Sequence, residues 1–371
     1  MSATAFIARE VFTGSEIHMG KAVLVKDGTI TAVVDAKAVP AGYRKEELGG
    51  YLLAPAFLDL QIYGGNGKLF SAELTTEALE ATYEYCLQGG CTQFQITLAT
   101  NSIEKFVRGL EVAREYRNGG GKGLLGVHLE GPYINPAKKG AHIEKFIKKP
   151  TVAEIRHLLQ KGKDLFRMMT LAPEQCDRDC IELLLKSGVV VSAGHSNATY
   201  DEAIDGFYQG IPAATHLFNA MSPLQGRQPG MVGAIYDNND VRCSVVCDGV
   251  HVDFASVRIS KKAMGQRLFF ITDAVTEVQY GEYVHVFRGD RYTLPDGTLS
   301  GSALTMLQCV RNGVEKCGIP LPEALRMASL YPATVMGMQE HWGTIQPGAR
   351  ADLVLLGEEL NLLQVIVDGE R

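Results

Sequence analysis

Apolar positions along the middle of the chain fall in short, near-continuous runs rather than in alternation. Eight such runs follow one another: Leu52–Ile62, Thr92–Ala99, Leu124–Leu129, Leu165–Leu171, Val189–Ala193, Ala213–Leu217, Val241–Val246 and Leu268–Ile271. That pattern suits strands buried on both faces. Helical patterns separate most of them, over Thr75–Gln88, Ser102–Tyr116, Val152–Gln160, Asp177–Ser187, Tyr200–Gln209 and Phe254–Met264. Alternating strand and helix implies a parallel sheet, and eight units suggest a closed (β/α)8 barrel, an α/β fold. Two further helices, Ala303–Cys317 and Leu321–Tyr331, complete the body.

The ends read differently. Ala3–Phe12, Lys21–Lys26 and Thr29–Asp35 are β-type runs, and Asp27-Gly28 is a hairpin signal between the last two. Near the other end, Ala351–Gly357 and Leu363–Asp368 are β-type runs after a Gln346-Pro347-Gly348 turn. Neither end builds a core alone, so residues 1–53 and 345–371 are expected to join in one small β-sandwich domain, with the barrel over 54–344. The sixth unit departs from the helical pattern. Met221–Gly233 carries too many Gly and Pro for a regular helix. A loop of that length in a compact domain tends to be functional, the alternative being an idle surface loop.

Composition narrows the class. A hydrophobic share of 46% over 371 residues excludes disorder and a small disulfide scaffold. With 36 basic against 42 acidic side chains the net charge is −6. That disfavours a general nucleic-acid binder, and any anionic ligand must be held by a few local groups. The N-terminus has no apolar stretch behind basic residues, and no run is long enough to span a membrane. A cytoplasmic protein with reduced thiols is therefore expected. Cys176/Cys180 and Cys243/Cys247 are each four apart, without a CxxC pair to support a zinc site. Buried small apolar side chains are the plain account of them.

Barrel active sites form at the C-terminal ends of the strands. The runs close on Asp59-Leu-Gln61-Ile-Tyr63, His128-Leu-Glu130, Gly194-His195, Thr215-His216, Asp248-Gly-Val-His251 and Thr272-Asp273. Glu130, His195 and His216 are far apart in sequence, and only a barrel brings them together. Three such N/O ligands with an open position suit a catalytic divalent metal, zinc first, with iron, cobalt or manganese also compatible. A histidine satisfied in the core is the alternative for each imidazole taken alone. Asp273 closes another strand, where a carboxylate beside a metal is a natural proton shuttle, or else a helix N-cap. There is no GxSxG elbow for a serine nucleophile and no phosphate-binding glycine fingerprint.

These residues lie in longer motifs. Ala54-Pro-Ala-Phe-Leu-Asp59, His128-Leu-Glu-Gly-Pro132, Lys138-Lys-Gly-Ala-His142, Val191-Ser-Ala-Gly-His-Ser-Asn-Ala198, Thr215-His-Leu-Phe-Asn-Ala-Met221, Gly226-Arg227, Asp248-Gly-Val-His251, Thr272-Asp-Ala274 and Gly297-Thr-Leu-Ser-Gly-Ser302 are all present. On these segments the chain resembles the N-acetylglucosamine-6-phosphate deacetylases of the amidohydrolase superfamily over essentially its whole length. The closing Gly343–Leu353 segment is similar to the wider superfamily.

The resemblance implies hydrolysis of N-acetylglucosamine 6-phosphate to glucosamine 6-phosphate and acetate. It implies metal binding at Glu130, His195 and His216, acid/base work at Asp273, and contact of His142 with the acetyl carbonyl. Substrate contacts are implied at Ala141, Asn219, Ala220, Arg227, His251 and a turn formed by Leu299, Ser300 and Gly301. It also implies a homodimer in which Arg227 reaches the phosphate in the neighbouring site. The superfamily's HxH metal pair on strand one is here Gln61-Ile-Tyr63. One metal per subunit is therefore expected, with Gln61 in a supporting or water-mediated role. Competing readings are a deacetylase for the C4-epimeric N-acetylgalactosamine 6-phosphate, a cyclic-amidase or deaminase relative, and a catalytically inactive sugar-phosphate sensor. Arg227 and His251 argue against the cyclic-amidase and deaminase relatives, and Asp273 with the three ligands argues against the sensor.

Overall fold

The structure, a computed structural model, describes residues 3–49 and 51–371. Its main sheet has eight parallel strands, β1 (Phe57–Ile62), β2 (Cys91–Ala99), β3 (Leu124–Glu130), β4 (Phe166–Leu171), β5 (Val190–Ala193), β6 (Ala213–Ala214), β7 (Arg242–Val246) and β8 (Leu268–Ile271), each beside its sequence neighbour. A parallel bridge from Ile62 to Ala274 joins the last strand back to the first. The Tyr63 N–H donates to the Ala274 carbonyl at 2.9 Å and the Asp273 N–H to the Gln61 carbonyl at 3.0 Å. The sheet is thus a closed barrel, as the eight apolar runs require.

Helices between the strands begin where the sequence offers caps. Ser102 accepts from the Lys105 N–H, and Thr199 and Glu202 form a reciprocal capping box ahead of Tyr200–Tyr208. Thr151 accepts from the Glu154 N–H ahead of Val152–Gly162, and Asp253 accepts from the Ala255 N–H ahead of Phe254–Met264.

The described residues divide into two compact units. One holds Asp59–Tyr85 and Gln93–Leu304, and so most of the barrel. The other holds the residues up to Leu58, Cys86–Thr92, and Thr305 onward. In this second unit a four-stranded sheet runs Thr29–Asp35, Lys21–Lys26, Ala3–Ile7, Arg44–Glu47. A five-stranded sheet runs Leu362–Ile366, Leu353–Leu356, Leu52–Pro55, Glu10–Phe12, Ile17–Met19. Leu353 lies opposite Pro55 and Leu355 opposite Leu53, so the two ends of the chain share a sheet. Phe6, Val11, Val23, Ile30, Leu53, Leu353 and Ile366 form one buried cluster drawn from both sheets, a small β-sandwich.

Several expectations change. The run Leu52–Ile62 is two strands parted at Ala56, its first half in the sandwich sheet and its second half β1. Both halves are fully buried, so periodicity gives no sign of the break. Ala3–Phe12 likewise splits into Ala3–Ile7 and Glu10–Phe12, in different sheets. Strand β6 is only two residues long, because His216 adopts φ 39° and turns the chain off the strand path. Within the sixth unit, Gly230–Asp237 is a helix despite its two glycines, with Gly230–Ile235 all buried. Burial there outweighs a glycine cost of about 1 kcal/mol per residue. Leu299, Ser300 and Gly301 are not a turn. They belong to the strand Leu299–Ser302 of a small antiparallel sheet with Arg291–Thr293 and Val286–Phe287, which the sequence reading did not foresee. Seven of the eight cysteines are buried.

Candidate active site

Strand ends of the barrel converge on a cavity of about 160 Å³. Glu130 is the last residue of β3. His195 follows β5 at φ 48°, His216 follows β6 at φ 39°, and Asp273 follows β8 at φ 55°. The left-handed conformation costs about 1–2 kcal/mol in a residue with a Cβ. Here it recurs where the chain leaves a strand with a side chain turned to the cavity.

Glu130, His195 and His216 are buried, and their ligand atoms lie within 4.8 Å of one another. His216 Nε2 is 3.0 Å from Glu130 Oε1 and 3.1 Å from His195 Nε2, and His195 Nε2 is 3.3 Å from the same carboxylate oxygen. His195 Nδ1 lies 2.8 Å from the Lys138 carbonyl, which only accepts, so its hydrogen is there and Nε2 keeps the lone pair. Burial pushes His195 down to about 4, which keeps the ring neutral at pH 7. Burial would raise Glu130, but His142, His195 and His216 outweigh it and hold the carboxyl well below its usual range. An anionic oxygen and imidazole lone pairs meeting in a dry pocket are the donor set of a divalent cation, and the residues present fit one.

Strand β1 supplies hydrogen bonds instead of imidazoles. Gln61 Nε2 lies 3.0 Å from Glu130 Oε1, 2.8 Å from Asp273 Oδ1 and 2.8 Å from the Tyr63 hydroxyl. Tyr63 in turn donates to Glu130 Oε2. Burial, followed by the charges of Glu130 and Asp273, lifts the Tyr63 phenol well above its ordinary value, so the hydroxyl stays protonated. Burial also raises Asp273. Below the site, Asp59 accepts from Thr272 Oγ1 at 2.5 Å and from the Gln61 N–H at 3.2 Å, tying β1 to β8.

The other expected residues divide in two. Ala141, His142, Asn219, Ala220, His251, Leu299, Ser300 and Gly301 all line the cavity. His142 Nε2 is 3.1 Å from Glu130 Oε2. His251 is braced by Asp248, whose Oδ2 is 2.6 Å from Nδ1, while Nε2 faces Asp273 Oδ2 at 3.9 Å. Arg227 is not in this lining. It is exposed on the loop before Gly230–Asp237, where it borders a separate depression with Gln225, Gln228 and Tyr200.

Sequence reasoning missed His285 and Tyr283, which line the cavity from the small antiparallel sheet and the segment before it. His285 is buried, its Nδ1 is 2.9 Å from Ser300 Oγ, and its ring stacks on Tyr283 at 6.2 Å. The alternation in Tyr283-Val-His285-Val-Phe287 was the available signal. Thr100, which contacts His142, was also missed, since a threonine closing a buried strand has no distinguishing pattern.

A closed barrel with a buried carboxylate–imidazole cluster at its strand ends is a scaffold compatible with a divalent metal site. The amidohydrolase family model matches residues 52–371, and the chain belongs to that family. It is 34% identical to the N-acetylglucosamine-6-phosphate deacetylase of Haemophilus influenzae, over 99% of this chain and 98% of that one. It is 33% identical to the N-acetylgalactosamine-6-phosphate deacetylase of a Shewanella species, over 86% and 82% of the two chains. The crystal structure of N-acetylglucosamine-6-phosphate deacetylase from Pasteurella multocida superposes with a TM-score of 0.94 at 35% identity, covering 99% of both chains.

Proposed function

We propose that this protein hydrolyses the N-acetyl group of N-acetyl-D-glucosamine 6-phosphate, giving D-glucosamine 6-phosphate and acetate in amino-sugar catabolism. The observation that carries the reading is Asp273 and the Glu130–His195–His216 cluster facing one cavity, in a chain similar over its whole length to deacetylases of that sugar phosphate.

Glu130, His195 and His216 would hold one divalent ion, zinc being the best match to a His2Glu set, with iron, cobalt or manganese also suited. When bound, such an ion supplies Lewis acidity that acidifies water and polarises an amide carbonyl. Asp273 accepts the proton of the attacking water and returns it to the sugar nitrogen, so the C–N bond breaks with a neutral amine leaving. Its raised affinity for a proton, from burial, suits a group that must hold and return one. His142 donates to the carbonyl oxygen as negative charge develops there. Ala141, Asn219, Ala220, His251 and the strand Leu299–Gly301 contact the sugar. Gln61 would support the cation by holding the Glu130 carboxylate, its Nε2 lying 3.0 Å from Oε1. Arg227 lies outside its own cavity, which fits a homodimer in which it reaches the phosphate bound by the partner; its planar fork suits bidentate bonding to phosphate. Cytoplasmic location accords with the phosphorylated substrate, and no helix among the described residues is long and apolar enough to cross a membrane.

The test is acetate release from N-acetylglucosamine 6-phosphate by the zinc-loaded protein, with kcat/KM compared for the N-acetylgalactosamine epimer. The Shewanella relative makes the epimer the second reading. A higher kcat/KM for the galacto sugar would replace the first substrate by the second. No acetate from either, in metal-loaded protein, would leave a sugar-phosphate sensor.

A further inference from the structure

His142 and His195 stand side by side, ring centroids 4.2 Å apart, yet their Nδ1 atoms meet backbone groups of opposite kind. His195 Nδ1 faces the Lys138 carbonyl, an acceptor. His142 Nδ1 faces the backbone N–H of Thr100 at 3.3 Å, a donor, and the Thr100 hydroxyl at 2.6 Å. A backbone amide cannot accept, so at 3.3 Å it biases His142 Nδ1 against a hydrogen and leaves the closer hydroxyl to fix the choice. Two lone pairs do not rest 2.6 Å apart, so the hydroxyl turns its single hydrogen to Nδ1 as well. Its other acceptor, the Glu130 carbonyl, is farther at 3.3 Å. The neutral ring then carries its hydrogen on Nε2, which points at Glu130 Oε2 from 3.1 Å. Thr100 is itself fixed, because the Tyr283 hydroxyl donates to its carbonyl at 2.7 Å.

We infer that Thr100 is a positioning residue that locks His142 in the Nε2–H tautomer, opposite to that of His195, which makes His142 a hydrogen-bond donor rather than a fourth cation ligand. The catalytic consequence rests on the deacetylase reading above. A donor beside Glu130 answers the oxygen of an amide carbonyl, whereas the other tautomer would set a lone pair against it. The tautomer itself needs no substrate.

The experiment is long-range proton–nitrogen correlation on zinc-loaded protein labelled with nitrogen-15 histidine, His142 being assigned by the signals lost in His142→Gln. The expected pattern is a lone-pair-bearing Nδ1 and a protonated Nε2 for His142, with the reverse for His195. A protonated His142 Nδ1, or an averaged pair of nitrogens, overturns the inference whatever the activity. Thr100→Val keeps the amide and removes the hydroxyl. It should average the His142 nitrogens and lower kcat about 10-fold, within the range for groups that orient a ligand or catalytic side chain, with KM little changed. Thr100→Ser should restore both. An unchanged spectrum and kcat in Thr100→Val would also overturn it. Failure of the wild-type protein to release acetate would remove the deacetylase reading, and the spectrum would still decide the tautomer.

Discussion

Asp273 is held by a neutral amide donor. Gln61 donates to its Oδ1 at 2.8 Å, and His251 Nε2 is 3.9 Å from Oδ2. That leaves the carboxyl available to exchange a proton. Asp273→Asn should retain metal and sugar phosphate, with KM within a few-fold. Its kcat should fall by about 10²- to 10⁴-fold, the usual loss of a general acid–base group. Steady-state kinetics alongside metal analysis of the same preparation check this, and near wild-type kcat in the loaded variant would defeat the assignment. Tyr63 acts on a different quantity. Its hydroxyl donates to Glu130 Oε2 and leaves Oε1 toward His195 and His216. Tyr63→Phe should weaken cation binding about 10- to 100-fold, as loss of an outer hydrogen bond to a ligand does. Competition against a chelator gives the affinity directly. Unchanged affinity would show that Gln61 alone holds the carboxylate.

At the scale of elements, the barrel strands were legible wherever an apolar run ended in a polar residue. Glu130, His195, His216 and Asp273 were each found that way, and the structure puts all four on one cavity. Three things were not legible, for physical reasons. The break at Ala56 lies inside a stretch buried in two different sheets, so neither hydrophobicity nor alternation changes across it. The sheet that brings His285 to the cavity has strands of two to four residues, too short for a period to register. Thr100 acts through its backbone amide as much as its side chain, and an amide carries no sequence signal. The loop bearing Arg227 was visible through its glycines and prolines, though the helix Gly230–Asp237 at its end was not. Because Arg227 stands outside the cavity, its effect should separate from that of the cluster. Arg227→Ala should lower kcat/KM for N-acetylglucosamine 6-phosphate far more than for the unphosphorylated sugar, by about 10-fold or more given the roughly 1.5–3 kcal/mol typical of a hydrogen bond to a charged group. Equal losses on both substrates would place Arg227 in folding or assembly instead of phosphate recognition.

For the whole molecule, the pairing of the two chain ends in one sheet was readable because each end offers strands without a core, and Leu353–Leu356 does lie against Leu52–Pro55. The proposed cation would be held by barrel residues alone, Glu130 closing β3 and His195 and His216 following β5 and β6, and would clip together strands distant in sequence. A ligand that binds only the folded chain adds RT ln(1 + [L]/Kd), about 2.7 kcal/mol at 100 times Kd, so chelation should lower the unfolding temperature. The expectation of a single ion rests on the residues at the end of β1 and just after it. A second site would need donors where Gln61 and Tyr63 stand, but Gln61 turns its amide nitrogen to the carboxylates and Tyr63 keeps its proton. Both side chains are already spent on Glu130 and Asp273, and one carboxylate cannot supply a second coordination sphere. Titration of zinc into the metal-free protein should therefore complete the gain in unfolding temperature and the gain in acetate release together, at one equivalent per chain. Metal analysis after gel filtration should return the same single ion. Activity still rising between one and two equivalents, with both ions retained on the column, would mean that Gln61 and Tyr63 move aside to admit a second cation.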